Sequence, residues 1–434
     1  MTRRRTRMRS PRWLRRTTGL RLVLLCLVAT IAGTILVFSP SGCVPTQAPT
    51  YVTLQDRLIR VRLVAAAEQV SIAASQPPVY FTSADTSLRQ LDLPRNQAVS
   101  MTLASGMWMA GGTPLGRGNL TIRPATDGSV RINDRAYRGQ YRLVPIGEGP
   151  RFDVINDVDV DQYLKGVLAR ELLSGWSEEA YRAQAIVART YAMYEKHVPR
   201  SEPRSWDVWA DTRSQVYGGI DAETPKAREA VDATAGLVLT YGPPGEERIF
   251  KAYFSACCGG ITQSAMHAFN EPYIEPLSEQ NVGSLCSISP RFNWGPIVIG
   301  KDELTRRFRA WGASKNRPEK NMGQVQSVDI ELRNRYGRPV RYSVIDSRNL
   351  KYSLASEEFR WAVNTDAQPG TTLLSSFLES VVNETDRVRF LGGHGHGHGV
   401  GMCQWCAEAR ARNGMNHQDI VRAAYPGAKL MRAY

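Results

Sequence analysis

The sequence predicts an α+β fold, because short alternating strands fill residues 57–156, and helices and strands then mix without a strict βαβ rhythm over residues 157–434. A third observation sets the N-terminus apart. Arginines 3, 4, 5, 7, 9, 12, 15, 16 and 21 precede an apolar run from Leu22 to Phe38, and no acidic residue occurs before Asp56. This pattern predicts a basic cytoplasmic flank over 1–21 and a membrane-inserting helix over 22–38. A linker with Pro45 and Pro49 occupies 39–56. The arginines account for most of the formal charge of +14, so the high pI reflects orientation in a membrane and argues against a nucleic-acid partner.

Retention as a single-pass signal-anchor is the reading preferred for residues 22–38, with cleavage as a signal peptide the alternative. Ser41-Gly42-Cys43 also resembles the end of a lipoprotein processing site, although Pro40 stands where Leu is usual, so lipidation at Cys43 is a third option. Each outcome places residues 57 onward on the extracytoplasmic side of a membrane.

In the β-rich part, Ile59–Val64, Leu120–Arg123 and Ser129–Ile132 alternate in polarity and are bounded by Gly, Asp or Asn turn signals. Val154 to Tyr163 alternates and then shifts to helical spacing at Tyr163, Val167 and Leu168. The shift predicts a short helix that begins near Asp161 and carries Glu171 at its end. Ser174-Gly175 breaks that helix. Ser177-Glu178-Glu179 supplies the N-cap and acidic first turn of a second helix, whose Ala180, Ala183, Ala185, Ile186, Ala188 and Tyr191 form a packing face. Arg182, Gln184 and Arg189 are expected to project from it as polar neighbours of Glu171. Farther on, 227–234 and 301–311 have helical spacing, while 237–241, 250–255 and 325–333 read as strands. No internal repeat is evident.

Tyr163-Leu164-Lys165-Gly166-Val167, Glu171, Trp176, Glu179-Ala180, Ala183-Gln184-Ala185 and Ala188-Arg189-Thr190-Tyr191 together resemble the signature of the stage II sporulation protein D and amidase-enhancer family of bacterial cell-wall proteins. Further blocks follow in the family's order: Ser214–Gly219, Thr234-Ala235-Gly236, Tyr253-Phe254-Ser255, Gly259-Gly260-Ile261-Thr262, and Gly397–Met402 before Gln404. The resemblance covers residues 57 to the C-terminus. It implies a β-rich N-terminal part supporting a catalytic cleft, with Tyr137–Leu143 as the strand leading to the catalytic helix.

The resemblance also implies a lytic transglycosylase. Such an enzyme cuts the bond between N-acetylmuramic acid and N-acetylglucosamine in peptidoglycan glycan strands and leaves a 1,6-anhydro end. Glu171 falls at the family's catalytic glutamate. One carboxyl group suffices for this chemistry, since the sugar's own C6 hydroxyl is the nucleophile, whereas ordinary glycosidases flank the bond with two carboxylates. A partly apolar pocket of Leu168, Leu172 and Trp176 would raise the pKa of Glu171. Arg182, Gln184, Arg189, Tyr217, Ser255, Thr262, His398 and Gln404 are the implied substrate-binding residues. Arg182 stands where Lys is more frequent, and for Arg189 a buried ion pair is the alternative role.

The amidase-enhancer branch implies a second function, a noncatalytic wall-binding protein that stimulates a separate N-acetylmuramoyl-L-alanine amidase. The run Gly392–Gly399 carries His394, His396 and His398 and suggests a weaker, metal-dependent alternative. The reaction itself requires no cofactor. Of the cysteines outside the apolar run and its flank, Cys257, Cys258, Cys286, Cys403 and Cys406 are an odd number, so complete pairing is impossible. A Cys258–Cys286 disulfide is expected in an oxidising compartment. Some family members hold zinc, for which Cys257, Cys258, His267 and Cys286 are the candidate ligands here.

Overall fold

A computed structural model describes residues 57–125, 128–200 and 202–434. By internal contacts the chain divides into Met1–Gln47 and Ala48–Tyr434, and every described residue belongs to the second unit. The basic flank, the apolar run and Cys43 lie outside the described residues. No described helix is long and apolar enough to cross a membrane.

The fold is α+β, as the sequence predicts. Residues 58–159 supply six antiparallel strands to each of two sheets, and the larger gains a seventh, the short parallel edge strand Val208–Trp209. Alternation decides which side chains enter the core: Ile59 and Val61 from one sheet and Val70, Ile72 and Met101 from the other are buried in one cluster with Trp108 and Phe152. Phe152–Asp159 is buried along nearly its whole length because strands flank it on both sides. It pairs with Leu58–Ala67 and with Gln140–Pro145. Tyr137–Leu143 is therefore not one strand. Gly139, at φ +83°, separates Arg135–Tyr137 in the smaller sheet from Gln140–Pro145 in the larger. The strand that leads into the helix is Phe152–Asp159.

Helix α1 (Val160–Glu171) starts where the Asp159 carboxylate accepts from the backbone N–H groups of Asp161 and Gln162, at 2.9 and 3.3 Å. Helix α2 (Glu178–His197) follows the Ser174-Gly175 break. From Ala180 to Met193 almost every α2 residue is buried. The neighbours include α1, helix α3 (Pro225–Ala233) and the strand Leu237–Tyr241. Enclosure on several sides overrides the two-faced pattern expected of an amphipathic helix.

The remaining chain forms two further cores. One gathers Ala183, Ile186 and Val187 of α2 with Leu239, Phe250, Val400, Met402, Ile420 and Tyr425; it includes the short helix α4 (Ala265–Phe269). The other, from residues 297–390, joins helix α5 (Lys301–Ser314) and helix α6 (Ser356–Asn364) to two small antiparallel sheets. Val325–Arg333 and Leu237–Tyr241 are strands as expected, but the expected strand 250–255 shrinks to Phe254–Ser255, paired in parallel with Met402–Cys403. Helix α7 (Gln404–Arg412) and helix α8 (His417–Ala424) close the chain, and the last strand, Lys429–Arg432, pairs with Leu237–Tyr241.

Candidate active site

Glu171 sits in the last turn of α1 and lines a cleft of about 490 Å³. Close packing of α1 explains how it is held. A Cβ at Gly166 would lie 2.7 Å from the Tyr217 ring and 2.8 Å from the Gly219 carbonyl oxygen, so only glycine lets the 214–219 loop dock there. The N–H of Gly218 donates to the Gly166 carbonyl at 3.0 Å, and the docked loop directs the Val216 N–H to Glu171 Oε1 at 3.2 Å.

Burial raises the pKa of Glu171 above the usual carboxylate range, and the Val216 N–H and the nearby Gln404 amide oppose that rise without cancelling it. The C-terminal end of a helix also disfavours a negative charge. Gln404, at the start of α7, is buried, and its Nε2 makes no hydrogen bond of ordinary geometry among the described residues.

The opposite parts of the cleft come from residues distant in sequence. Tyr253, Phe269 and Trp361 form an aromatic row: Tyr253 stacks on Phe269 at 4.7 Å between ring centres, and Phe269 lies nearly parallel to Trp361 at 6.2 Å. Trp361 is 44% exposed. Three cations line the same cleft, each held by a carboxylate: Arg213 by Asp211 at 2.6 Å, Lys251 by Glu195 at 2.9 Å, and Arg360 by Glu357 at 2.6 Å. Glu357 is a second carboxylate in the wall. It is fully buried and also accepts from Ser376 Oγ at 2.8 Å. Despite its burial its pKa lies below the usual range, because Arg360, His398 and Ser376 stabilise the ionised form.

His398 and Ser255 reach the cleft. The imidazole lies against Tyr253 and Phe269, its Nδ1 accepts from the Val400 N–H at 2.9 Å, and burial lowers its pKa to about 4, so it is neutral near pH 7. Ser255 Oγ accepts from the Gly399 N–H at 3.2 Å and so fixes the turn that carries His398.

Other expected neighbours of Glu171 are elsewhere. Arg189 is 0% exposed, pairs with Asp161 at 2.8 Å and donates to the carbonyls of Leu237 and Val231. It ties α1 to α3 and the following strand, which is the ion-pair role rather than substrate contact. Gln184 is also 0% exposed, so neither side chain projects as the helical pattern suggested. Arg182 is bound by Glu178, Glu179 and Glu229 and does not line the cleft. Tyr217 is buried against Tyr137 and Tyr163. Thr262 accepts from the Gln280 N–H at 2.7 Å and belongs to a separate crevice beside Cys403 and Cys406. Trp176 packs edge-on against Trp405 at 4.8 Å and is buried, without lining the cleft.

The histidine run does not converge. His394 is held between Asn293, 2.7 Å from its Nδ1, and Glu379, 2.8 Å from its Nε2, while His396 and His398 line the cleft. Nor do Cys258 and Cys286 stand as an isolated disulfide pair. Their sulfurs are 3.6 Å apart, and Cys403 and Cys406 share the same cluster. His267 instead approaches Ser264 Oγ at 2.9 Å and is not part of that group.

Arg213, Lys251, Phe269, Glu357, Arg360, Trp361 and His396 were missed as cleft residues from sequence. A row of aromatics at scattered positions carries no local signal, and only the alternating Gly-His pattern pointed toward His396.

A sequence model of the stage II sporulation protein family matches residues 148–241, which contain α1, α2 and the 214–219 loop. An uncharacterized protein of Brachyspira hyodysenteriae is 28% identical over 309 residues, covering 70% of this chain and 75% of that protein. The amidase enhancer of Bacillus subtilis is 23% identical over 351 residues; the match covers 72% of this chain but 47% of that protein, so the chain spans about half of that relative. Stage II sporulation protein D of Bacillus subtilis is 24% identical over 301 residues, covering 64% of this chain and 76% of that protein. The matched segment builds the glutamate's side of the cleft, so residues 148–241 carry the stage II sporulation protein D family match and the chain is similar, over about two thirds of its length, to stage II sporulation protein D and the amidase enhancer.

Proposed function

We propose that the protein is a peptidoglycan lytic transglycosylase acting from the extracytoplasmic side of the membrane, with Glu171 as its single acid and base. The observation that carries this reading is a desolvated carboxyl with a raised pKa at the edge of a cleft bearing an aromatic row. Protonated Glu171 donates to the glycosidic oxygen as the bond to C1 of N-acetylmuramic acid breaks. The C6 hydroxyl closes on C1, and its proton passes to the carboxylate. The 1,6-anhydro product forms without water, and Glu171 ends in its starting state. The face of Trp361 suits a pyranose ring, and the aromatic row behind it continues that apolar platform.

Digestion of purified glycan strands, with products read by mass spectrometry, tests the proposal. Anhydromuramyl ends are expected, and Glu171→Gln should reduce their rate about 100-fold or more while thermal unfolding stays cooperative. Because the acid must be protonated, the rate should fall as pH rises through the Glu171 pKa. The stability contribution has the same sign: the native state holds that proton more tightly than the unfolded chain, so the contribution is full at low pH and lost as pH rises. Unchanged cleavage in Glu171→Gln would remove the proposal.

The amidase-enhancer relative supports a second reading, a wall-binding protein that stimulates an amidase. Amidase stimulation that survives Glu171→Gln, in a protein that forms no anhydro products, would favour it.

A further inference from the structure

Gln404 is the first residue of α7, and two contacts press that end of the helix onto the turn that follows Glu171. The Glu408 carboxylate, one helical turn on and on the same face as Gln404, accepts from the Ser177 N–H at 2.9 Å, and Trp405 packs edge-on against Trp176. The N–H of Trp405 also donates to the Ala256 carbonyl at 3.1 Å. Gln404 is 5% exposed and is not among the residues that line the cleft, so it does not meet the substrate as the resemblance implies. Its Nε2 is buried without a hydrogen bond of ordinary geometry among the described residues, and a buried donor left over in this way calls for a cause.

We infer that Gln404 is a positioning residue for Glu171, holding a donor in reserve for the carboxylate that forms when the acid gives up its proton. Its part in turnover rests on the transglycosylase reading of Glu171; the contact itself does not.

The reason lies in how the reaction moves charge. A protonated carboxyl accepts hydrogen bonds weakly, whereas a carboxylate accepts them strongly. In the resting acid the Val216 N–H already serves Oε1 at 3.2 Å, and a second donor adds little. Once the proton has passed to the glycosidic oxygen, a negative charge stands in a largely desolvated site at the C-terminal end of α1, which disfavours it. The Gln404 amide then closes on the carboxylate. Its contact is stronger in the transition state than in the resting enzyme, which is the condition for an interaction to raise kcat. When the C6 hydroxyl returns a proton to Glu171, the donor is released again.

In the resting state burial outweighs the two donors, which both favour the ionised form. Neighbouring charges do not set this balance. Burial keeps the phenols of Tyr163 and Tyr191 protonated. Arg213 and Lys251 are each paired with a carboxylate, Arg360 with Glu357, and Glu408 with Arg412.

Gln404→Met keeps the bulk of the side chain and removes the donor. In the full-length chain with isotope-labelled glutamate carboxyls, the NMR signal missing from Glu171→Gln reports Glu171 directly, without substrate. Its midpoint should rise by about one pH unit in Gln404→Met. On purified glycan strands kcat should fall roughly tenfold or more at unchanged KM, and the alkaline limb of the rate profile should move up with the midpoint. The wild type supplies a measurement that needs no variant to fold: the side-chain amide signal of Gln404 should titrate with the midpoint of Glu171. An unmoved Glu171 midpoint in Gln404→Met, a Gln404 amide in the wild type that ignores it, or a variant in which only KM and the melting temperature change overturns the inference. If the midpoint moves but the wild type forms no anhydromuramyl ends, the hydrogen bond stands and the transglycosylase reading alone falls.

Discussion

The two sides of the cleft are built in opposite ways. The glutamate's side comes from α1, α2 and the 214–219 loop, residues within about sixty positions of one another, fixed by a tight Gly166 contact and a buried ion pair. The facing side assembles Tyr253, Phe269, Trp361 and His398 from separate segments. One side is held by contacts that are local and dense. The other depends on long-range contacts, among them the Phe254–Ser255 pairing with Met402–Cys403 and the buried Arg338, which donates to the carbonyls of Cys258 and His398.

This contrast can be broken most severely at Arg189. Arg189→Met leaves the buried Asp161 carboxylate with only the longer Arg57 contact at 3.6 Å and should cost about 2–4 kcal/mol in urea unfolding; a loss below about 1 kcal/mol would mean that the ion pair does not organise this side. The next effect is on pH. An unfolded imidazole titrates near ~6.5, whereas His398 titrates at about 4 in the fold. Between these values the unfolded chain binds more protons, so stability is full above the higher value and falls as pH drops toward the lower. His398→Gln should remove a slope worth on the order of 2 kcal/mol, allowing for the partial exposure of the ring, as measured by denaturant titration at pH 7 and pH 4.5.

Trp361→Ala tests the facing side alone. Losing one exposed aromatic surface should weaken glycan binding by about 1 kcal/mol, roughly fivefold in KM, with kcat and the melting temperature nearly unchanged. A drop in kcat without a change in KM would instead place Trp361 in control of Glu171. Arg182→Ala should have the smallest effect, below about 1 kcal/mol in stability and none on cleavage, because its partners are surface carboxylates outside the cleft. A large loss of cleavage would return Arg182 to the substrate.

Legibility in the sequence follows the same division. The helix carrying Glu171, the Ser174-Gly175 break and the Ser177 start are encoded by caps and spacing over a few residues, and all three stand in the fold. The same spacing misdirected Gln184 and Arg189, since a period of 3.6 identifies faces but not how many of them other elements will cover. For the cysteines, Cys258 and Cys286 suggested a pair because both flank a loop beside the expected cleft. Cys403 and Cys406 join them only through the parallel pairing of Phe254–Ser255 with Met402–Cys403, a contact between segments nearly 150 residues apart that local pattern does not encode. Trp361 and Arg360 entered the cleft by the same long-range route.

The strand Lys429–Arg432 has a consequence in time. It pairs with Leu237–Tyr241, whose Leu237 carbonyl also receives Arg189. A chain emerging N-terminus first exposes Glu171 long before residues 402–432 arrive to complete the sheets around the cleft. During that interval the carboxyl remains solvated and ionised, with neither Gln404 nor His398 beside it. The sheets beside Glu171 therefore stay incomplete until residues 402–432 have emerged, so the burial that raises its pKa arrives well after the helix that carries it.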